Sequence, residues 1–540
     1  MTQAFETLLS EIAALKQTLH EEREHCQALE DKYRTLEHEH QVLKEKHQTL
    51  EEKHLTLVRK FFGKRSEKLT PEDATQGRLF NEAEDGFVAE DDAAEGSLPV
   101  TRVKAHERKK RGRKPLPDNL PREEVIHDLS EEEKRCPCCG KGRPAIGTEE
   151  SEELDIVPAR ITVLHHVKKK YGPCGCEGFL HTGNPEVVTA TMPPRMIPGG
   201  IASAGLLAYT VISKFADALP FYRQSRIFER IGVDIPRATL CNWTIGAHER
   251  MADFFSVFIE EMKKGPFMRM DETTVQVLCE ENRPAESKSY MWVAIGYPAR
   301  GRPLVLYQYH PTRSRDVPHR FLDGFKGYLQ TDGYGGYALA GGREGILHVG
   351  CFAHARRYFF DAAQLNRKDS RAHRGLEYIR SLYEIEHRLR SETPDPNKFV
   401  LRRKKEVQPV LDRFHDWLVR NGAEVLPSSR TGQAIAYTVK EWDKLVRYLE
   451  ADFLTPDNNE IERAIRPFVV GRKNWLFSNT PRGAHASAAM YSLVESAKAN
   501  RIEPYQYLRF LFTMLPTMTG REGLESLLPC CVVPEKIQAL

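Results

Sequence analysis

FMRMDETTVQVL, residues 267–278, decides the fold of this chain. Apolar and polar residues alternate along it and Thr273, Thr274, Val275 and Val277 are β-branched, so it reads as a strand carrying an acid, Asp271, part way along. SYMWVAIGY (289–297) and RPLVLYQYH (302–310) follow across short polar turns, which predicts an antiparallel meander. GYLQTDGYGGY (327–337) is a further strand ending in Asp332 at a glycine-rich turn, and ILHVGCFAHARRYFFDA (346–362) is a strand that runs into a helix. The expectation is a mixed sheet with helices packed on it.

A third acid belongs to TPDNNEIERAIRPFVVGRKNWLF, 455–477, where Thr455 reads as an N-cap, Pro456 as the first helical residue and Asp457 as part of the first turn. Ile461, Ala464, Ile465 and Phe468 form its apolar stripe, while Glu460 and Glu462 point to different sides. Spacing alone does not choose between them. Two carboxylates at strand ends and one from a later helix can hold a pair of magnesium ions, or manganese in their place, for phosphodiester chemistry, which makes DNA the first substrate to test. Asp271 and Asp332 are 61 residues apart and Glu462 lies 130 further on, so a helical insertion, about 363–455, is expected inside a core of ribonuclease H type spanning 263–480.

Outward from that core the chain is long enough, at 540 residues, for three or four units. Within 1–60, leucines recur at 8, 15, 29, 36, 43, 50 and 57, broken at Glu22, beside Phe5, Ile12, Leu19, Cys26 and Tyr33. That seven-residue step predicts a coiled coil and a homo-oligomer. The segment 61–125 is a linker whose acidic stretch, 79–100, carries seven acids and no base, and whose stretch 101–117 has eight Lys or Arg against one Glu. Arg108, Lys109, Lys110, Arg111, Arg113 and Lys114 there suit sequence-independent phosphate contact and insertion into a narrow minor groove; the bland reading is a solubilising linker. Segment 126–190 holds Cys136 and Cys139 at knuckle spacing, which with Cys174 and Cys176 make a candidate structural zinc site. Cys138, His165 or His166 are alternative ligands, and reduced buried thiols the competing reading.

Residues 191–262 read as helical, with IFERIGVD and IPRATLCNW arranged like a helix-turn-helix whose second helix offers Arg and Asn to DNA. Two ordinary packed helices with Phe228, Ile231, Leu240 and Trp243 inside would give the same letters. Residues 481–540 read as a C-terminal helical element packed on the core. Arg356, Arg357, Arg472 and Lys473 suit DNA phosphates, and Cys351 with His354 reads as a packed thiol and a hydrogen-bonded imidazole rather than a metal pair. The net charge of +3 leaves attraction for DNA to such local clusters. No export signal or membrane span is read, and with the eleven cysteines including ligand-like clusters at Cys136, Cys138, Cys139 and at Cys174, Cys176, a cytoplasmic protein is expected.

FFGKRSEKL (61–69), CPCCG (136–140), IFERIGVDIPRATLCNW (227–243), CFAHARRYF (351–359) and GRKNWLF (471–477), in this order, resemble the insertion-sequence-66 family of DDE transposases. The resemblance implies a DNA transposase that cuts the ends of its element and joins them to target DNA, with a helical insertion in its catalytic core. It assigns the catalytic acids as Asp271, Asp332 and Glu462, the last through Asn459, Glu462 and Arg463 of an N-x-x-E-R pattern. It also implies small accessory proteins from the same element. Relatives carry C-x-x-C at the second cysteine pair, where this chain has C-x-C. Two other classes compete: a catalytically silent DNA-binding descendant, and a resolvase-like nuclease that cuts without joining.

Overall fold

The computed structural model describes residues 2–62, 161–171, 188–298, 302–365, 369–533 and 537. The chain divides into two units, 89–192 and the remainder. Of the first, a two-residue antiparallel ladder pairs Lys170 with Thr189 and Tyr171 with Val188. The basic tract 101–117 and Cys136, Cys139, Cys174 and Cys176 lie outside the described residues, as does the acidic linker.

The second unit begins with α1 (Thr2–Phe62), one helix of 61 residues on which Leu15, Leu29, Leu36, Leu43 and Leu50 all stand exposed. Four helices precede the sheet: α2 (Ala204–Phe215), α3 (Phe221–Arg230), α4 (Arg237–Arg250) and α5 (Ala252–Lys263). Gly232, at a φ of +83°, makes the turn between α3 and α4, and Phe228, Leu240 and Trp243 are buried. Ile231 is not: it closes α3 in the turn and is 51% exposed, so the apolar count inside this pair is one smaller than the sequence suggests.

Five strands follow: β1 (Phe267–Gln276), β2 (Lys288–Gly296), β3 (Leu304–His310), β4 (Gly327–Gln330) and β5 (Ile346–Val349). Their order across the sheet is β3-β2-β1-β4-β5, the first three antiparallel and the last two parallel to β1. Interior β2 is buried along most of its length, as a strand covered on both faces should be.

Between β5 and the last acid run four long helices, α6 (Phe352–Leu365), α7 (Ser370–Glu392), α8 (Pro396–Glu424) and α9 (Arg430–Lys440), which build a core of their own from Phe359, Ile379, Leu382, Leu411, Phe414 and Ile435. Asp369, Asp395 and Ser429 cap α7, α8 and α9 by accepting from backbone N–H groups. Then come α10 (Asn459–Trp475), α11 (Pro481–Ala499) and α12 (Pro504–Met514).

Helix α11 is alanine-rich and buried on most sides rather than amphipathic, because it closes the free edge of β3. The Ser496 and Ser492 hydroxyls accept from the Val305 and Tyr307 amides at 2.8 Å each, taking edge donors that would otherwise offer a pairing surface.

Candidate active site

The β1–β4 register brings together the two stretches of chain that lead to the first two acids. Arg269 is level with Gln330, an offset of 61, and the same offset relates Asp271 to Asp332 two positions further along each chain. The ladder ends at the Arg269–Gln330 pair, and beyond it the two acids remain close enough that the Asp332 charge is felt at Asp271. Asp332 has left the ladder and sits in an Asx-type turn, its Oδ1 accepting from the Tyr334 amide at 3.0 Å. Gly333 is required there: a Cβ would come within 2.6 Å of the Tyr437 ring.

The third acid is brought in by its loop. Arg269, 3% exposed in the middle of an apolar strand, donates to the Asp457 carbonyl at 3.1 Å and to Thr455 Oγ1 at 2.9 Å. Gln330 donates to the carbonyls of Thr455 (2.8 Å) and Gly350 (3.2 Å), and Asn458 reaches the Met270 carbonyl at 3.4 Å. Loop 455–458 is thereby fastened to the strand positions just before Asp271 and Asp332. From the other side, the insertion contributes Arg403, which donates to the carbonyls of Ala451 and Leu454, and Arg390, which donates to those of Asp452 and Leu454.

These bonds correct the expected helix start. Thr455 does not cap α10, because its hydroxyl donates to the Asp457 carbonyl and accepts from Arg269; the helix begins at Asn459, after Asn458. The Asn458 amide donates to the Cys351 thiol at 3.2 Å, which ties the start of α10 to the residue preceding α6. Cys351 is thus a packed thiol, and burial pushes its pKa up to about 12. His354, expected to be hydrogen-bonded, instead buries Nδ1 without a partner.

The same geometry separates the two glutamates. Glu460 accepts from the Tyr297 hydroxyl at 2.5 Å and pairs with Arg269 at 3.5 Å. Glu462 turns to the acids. Burial raises its pKa to about 7, against the Arg357 charge, and Asp457 and Asp332 push the same way. Burial likewise holds Asp271 well above the ordinary carboxylate range, with Glu272, Asp332 and Glu462 adding to it. Three carboxylates therefore share one electrostatic neighbourhood. Among the described residues, no three His, Cys, Asp or Glu side chains are drawn into a ready-made metal cage. Glu462 Oε2 is nonetheless buried without a partner, as is Asn459 Oδ1, so the site presents acceptor oxygens suited to a hard divalent cation.

Of the basic residues expected here, Arg357 lies where its charge is felt at Glu462, and Arg356 lies over the Phe360 ring. Arg472 and Lys473 sit at the far end of α10, where Arg472 donates to the Thr274 hydroxyl at 3.0 Å. Sequence reasoning missed Arg269, Gln330 and Arg403, and also Glu272, whose enclosed carboxylate pairs with Arg313 and accepts from Tyr337 at 2.6 Å. Arg313 stacks 3.6 Å from the Tyr334 ring centroid and so braces the turn after Asp332. An arginine inside the run FMRM was the available signal for Arg269.

The fold is thus a five-stranded mixed sheet flanked by helices, with Asp332 and Glu462 close enough to Asp271 for their charges to be felt there. Residues 199–486 match the transposase IS66 family, 492–530 the IS66 C-terminal element, 133–177 the zinc-finger binding domain of transposase IS66, and 49–125 the segment described as transposase C of IS166 homeodomain. Two uncharacterised proteins of Sinorhizobium fredii (strain NBRC 101917 / NGR234) are each 30% identical: y4qI over 88% of this chain and 87% of its own length, and y4jD over 87% and 92%. The chain belongs to the IS66 family of transposases. No helix among the described residues is long and apolar enough to cross a membrane.

Proposed function

We propose that this transposase is an active DDE enzyme that cleaves DNA at the ends of its element and joins them to target DNA. The observation that carries the reading is Asp271 on β1 with Asp332 in the turn two residues beyond the neighbouring parallel strand β4, each in the field of Glu462 or of the other acid. The sheet order, three antiparallel strands followed by two parallel ones, supports a ribonuclease H-like core. Asp271, Asp332 and Glu462 would hold two magnesium or manganese ions, which when bound activate a water or a DNA 3′-hydroxyl and stabilise the leaving oxygen. The chain's own residues supply the rest. Burial and mutual repulsion make the acids avid for cations, and Arg357 lies where phosphate charge would gather.

The remaining parts follow the same reading. Helix α1 with its exposed leucines serves homo-oligomerisation through a coiled coil, the tract 101–117 binds DNA backbone, and Cys136, Cys139, Cys174 and Cys176 hold a structural zinc. Small accessory proteins of the element act with it. The test offers pre-cut element-end DNA, magnesium and a target plasmid to the wild type and to Asp271→Asn. Joined products from the wild type alone support the proposal. Cleavage of branched DNA without joining points to a nuclease, and indistinguishable behaviour of the two proteins to a silent DNA-binding descendant.

A further inference from the structure

The end of α10 holds a feature that the acids do not use. Leu476 has φ +65° and ψ −55°, and the Phe477 amide donates to the Trp475 carbonyl at 2.9 Å, so Leu476 is the centre of a γ-turn of the rare, strained sign. A leucine is held there only if its surroundings impose it. They do: the Leu476 amide donates to the Arg472 carbonyl at 2.7 Å, and the Ser478 amide to the Gln276 carbonyl at 3.0 Å, pinning the turn between α10 and the end of β1. The side chains gain no burial in return, since Leu476 is 63% and Phe477 43% exposed.

Beside the turn lies a cavity of about 460 Å³ whose lining includes Leu476 and three cations, Lys288, Arg472 and Lys473, against one acid, Glu286. Its floor is Thr274–Gln276, three to five residues along β1 from Asp271, or roughly 10–17 Å at 3.3 Å per residue.

We propose that this cationic groove and its strained apolar turn form a DNA subsite, in which the strand leaving the acids runs over Lys288, Arg472 and Lys473 while Leu476 and Phe477 pack against an unstacked base. The inference rests on the proposed function for its position, since the acids set where the cut phosphate lies. Charge complementarity selects a polyanion, and the rigid apolar pair selects one with flat apolar faces to cover, as side chains wedged between bases do. At roughly 3.4 Å per nucleotide along a strand, the contacted base is about the third to fifth from the cut phosphate.

The test uses the full chain carrying Asp271→Asn, so that DNA is bound and chemistry is removed from the readout. Element-end duplexes carry the fluorescent adenine analogue 2-aminopurine at each of the first eight positions in turn. The expected result is a several-fold fluorescence rise centred on roughly the third to fifth positions. Adding Leu476→Gly and Phe477→Ser should abolish it, with affinity falling about 5- to 150-fold at an unchanged salt slope. Lys288→Ala and Lys473→Ala should instead reduce the salt slope by about 0.9 each. Leu476→Gly alone relieves the strained φ, so its thermal midpoint should not fall while the fluorescence rise shrinks; it keeps the test decisive if the double variant folds poorly. No rise at any position, an unchanged rise in the variants, or a change of oligomeric state at wild-type DNA affinity overturns the subsite. Loss of joining activity in otherwise wild-type protein would sink the enzymatic reading instead, and leave this DNA contact standing.

Discussion

Replacing Glu462 by glutamine should stabilise the metal-free protein at neutral pH and above. Burial raises the Glu462 pKa from 4.5 to about 7, so the folded state holds this proton more tightly than the unfolded chain does. The stabilisation is full below about pH 4.5 and is lost as pH rises through about 7. At 1.36 kcal/mol per pH unit the wild type gives up about 3 kcal/mol across that window. Glutamine, neutral throughout, gives up none. Unfolding entropy of about 2.1 cal/mol/K per residue over residues 193–540 of the second unit converts this to roughly 4–5 °C. Thermal midpoints measured from pH 4.5 to 8 with a chelator should therefore coincide for the two proteins at the acid end and separate to about 4–5 °C, variant higher, at pH 8. Millimolar magnesium should narrow the gap by raising the wild type alone, because the cation replaces the proton at the orphaned Oε2. A variant that melts at or below the wild type at pH 8 without metal would refute the placement of Glu462 among uncompensated carboxylates.

The other expected outcomes concern the groups that hold the acids in place. Glu460→Gln should leave DNA joining within about tenfold of wild type and stability within about 1 kcal/mol, since its carboxylate is 40% exposed and faces Arg269 and Tyr297; a loss as deep as that of Glu462→Gln, measured side by side, would reverse the assignment. Arg269→Met should cost about 2–3 kcal/mol in denaturant unfolding and depress joining at saturating DNA while DNA affinity holds, because it frees the loop before α10 without touching phosphate; affinity falling in step with activity would make Arg269 a DNA contact instead. Elemental analysis should find one zinc per chain, lost from Cys136→Ser and from Cys176→Ser; zinc retained in the latter would hand its place to Cys138, His165 or His166.

What was legible in the sequence, and what was not, divides by the range of the interaction. The strands of the meander announce themselves through their β-branched and apolar runs, and Asp271 and Asp332 stand out because the first is an acid in the middle of such a run and the second an acid at the glycine-rich turn that ends one. Spacing could not decide between Glu460 and Glu462, since both are polar positions on one helix and the deciding partners, Tyr297 and Arg269, are 163 and 191 residues away. Thr455-Pro456 carried every local mark of a helix start and failed as one because Arg269, 186 residues upstream, takes the threonine hydroxyl. Local chemistry proposes a cap, and a buried guanidinium with donors to satisfy overrides it.

That override also explains how an insertion of four helices can interrupt an active site without scattering it. The segment 451–458 buries carbonyls that have no helix or ladder to pair with, and a buried carbonyl left unpaired is costly. Arg403 and Arg390 answer those at its start from the insertion, while Arg269 and Gln330 answer those at its end from the sheet. Each guanidinium offers several donors in a fixed plane, so one side chain sets the position of two backbone groups at once. The loop is therefore located by the demand of its own carbonyls together with the buried Leu454 and the packing of Phe453 on Phe267 and Tyr328, and the same clamp that satisfies the carbonyls fixes where α10 starts. Since Glu462 lies one turn into α10, its approach to Asp271 and Asp332 is a consequence of that satisfaction.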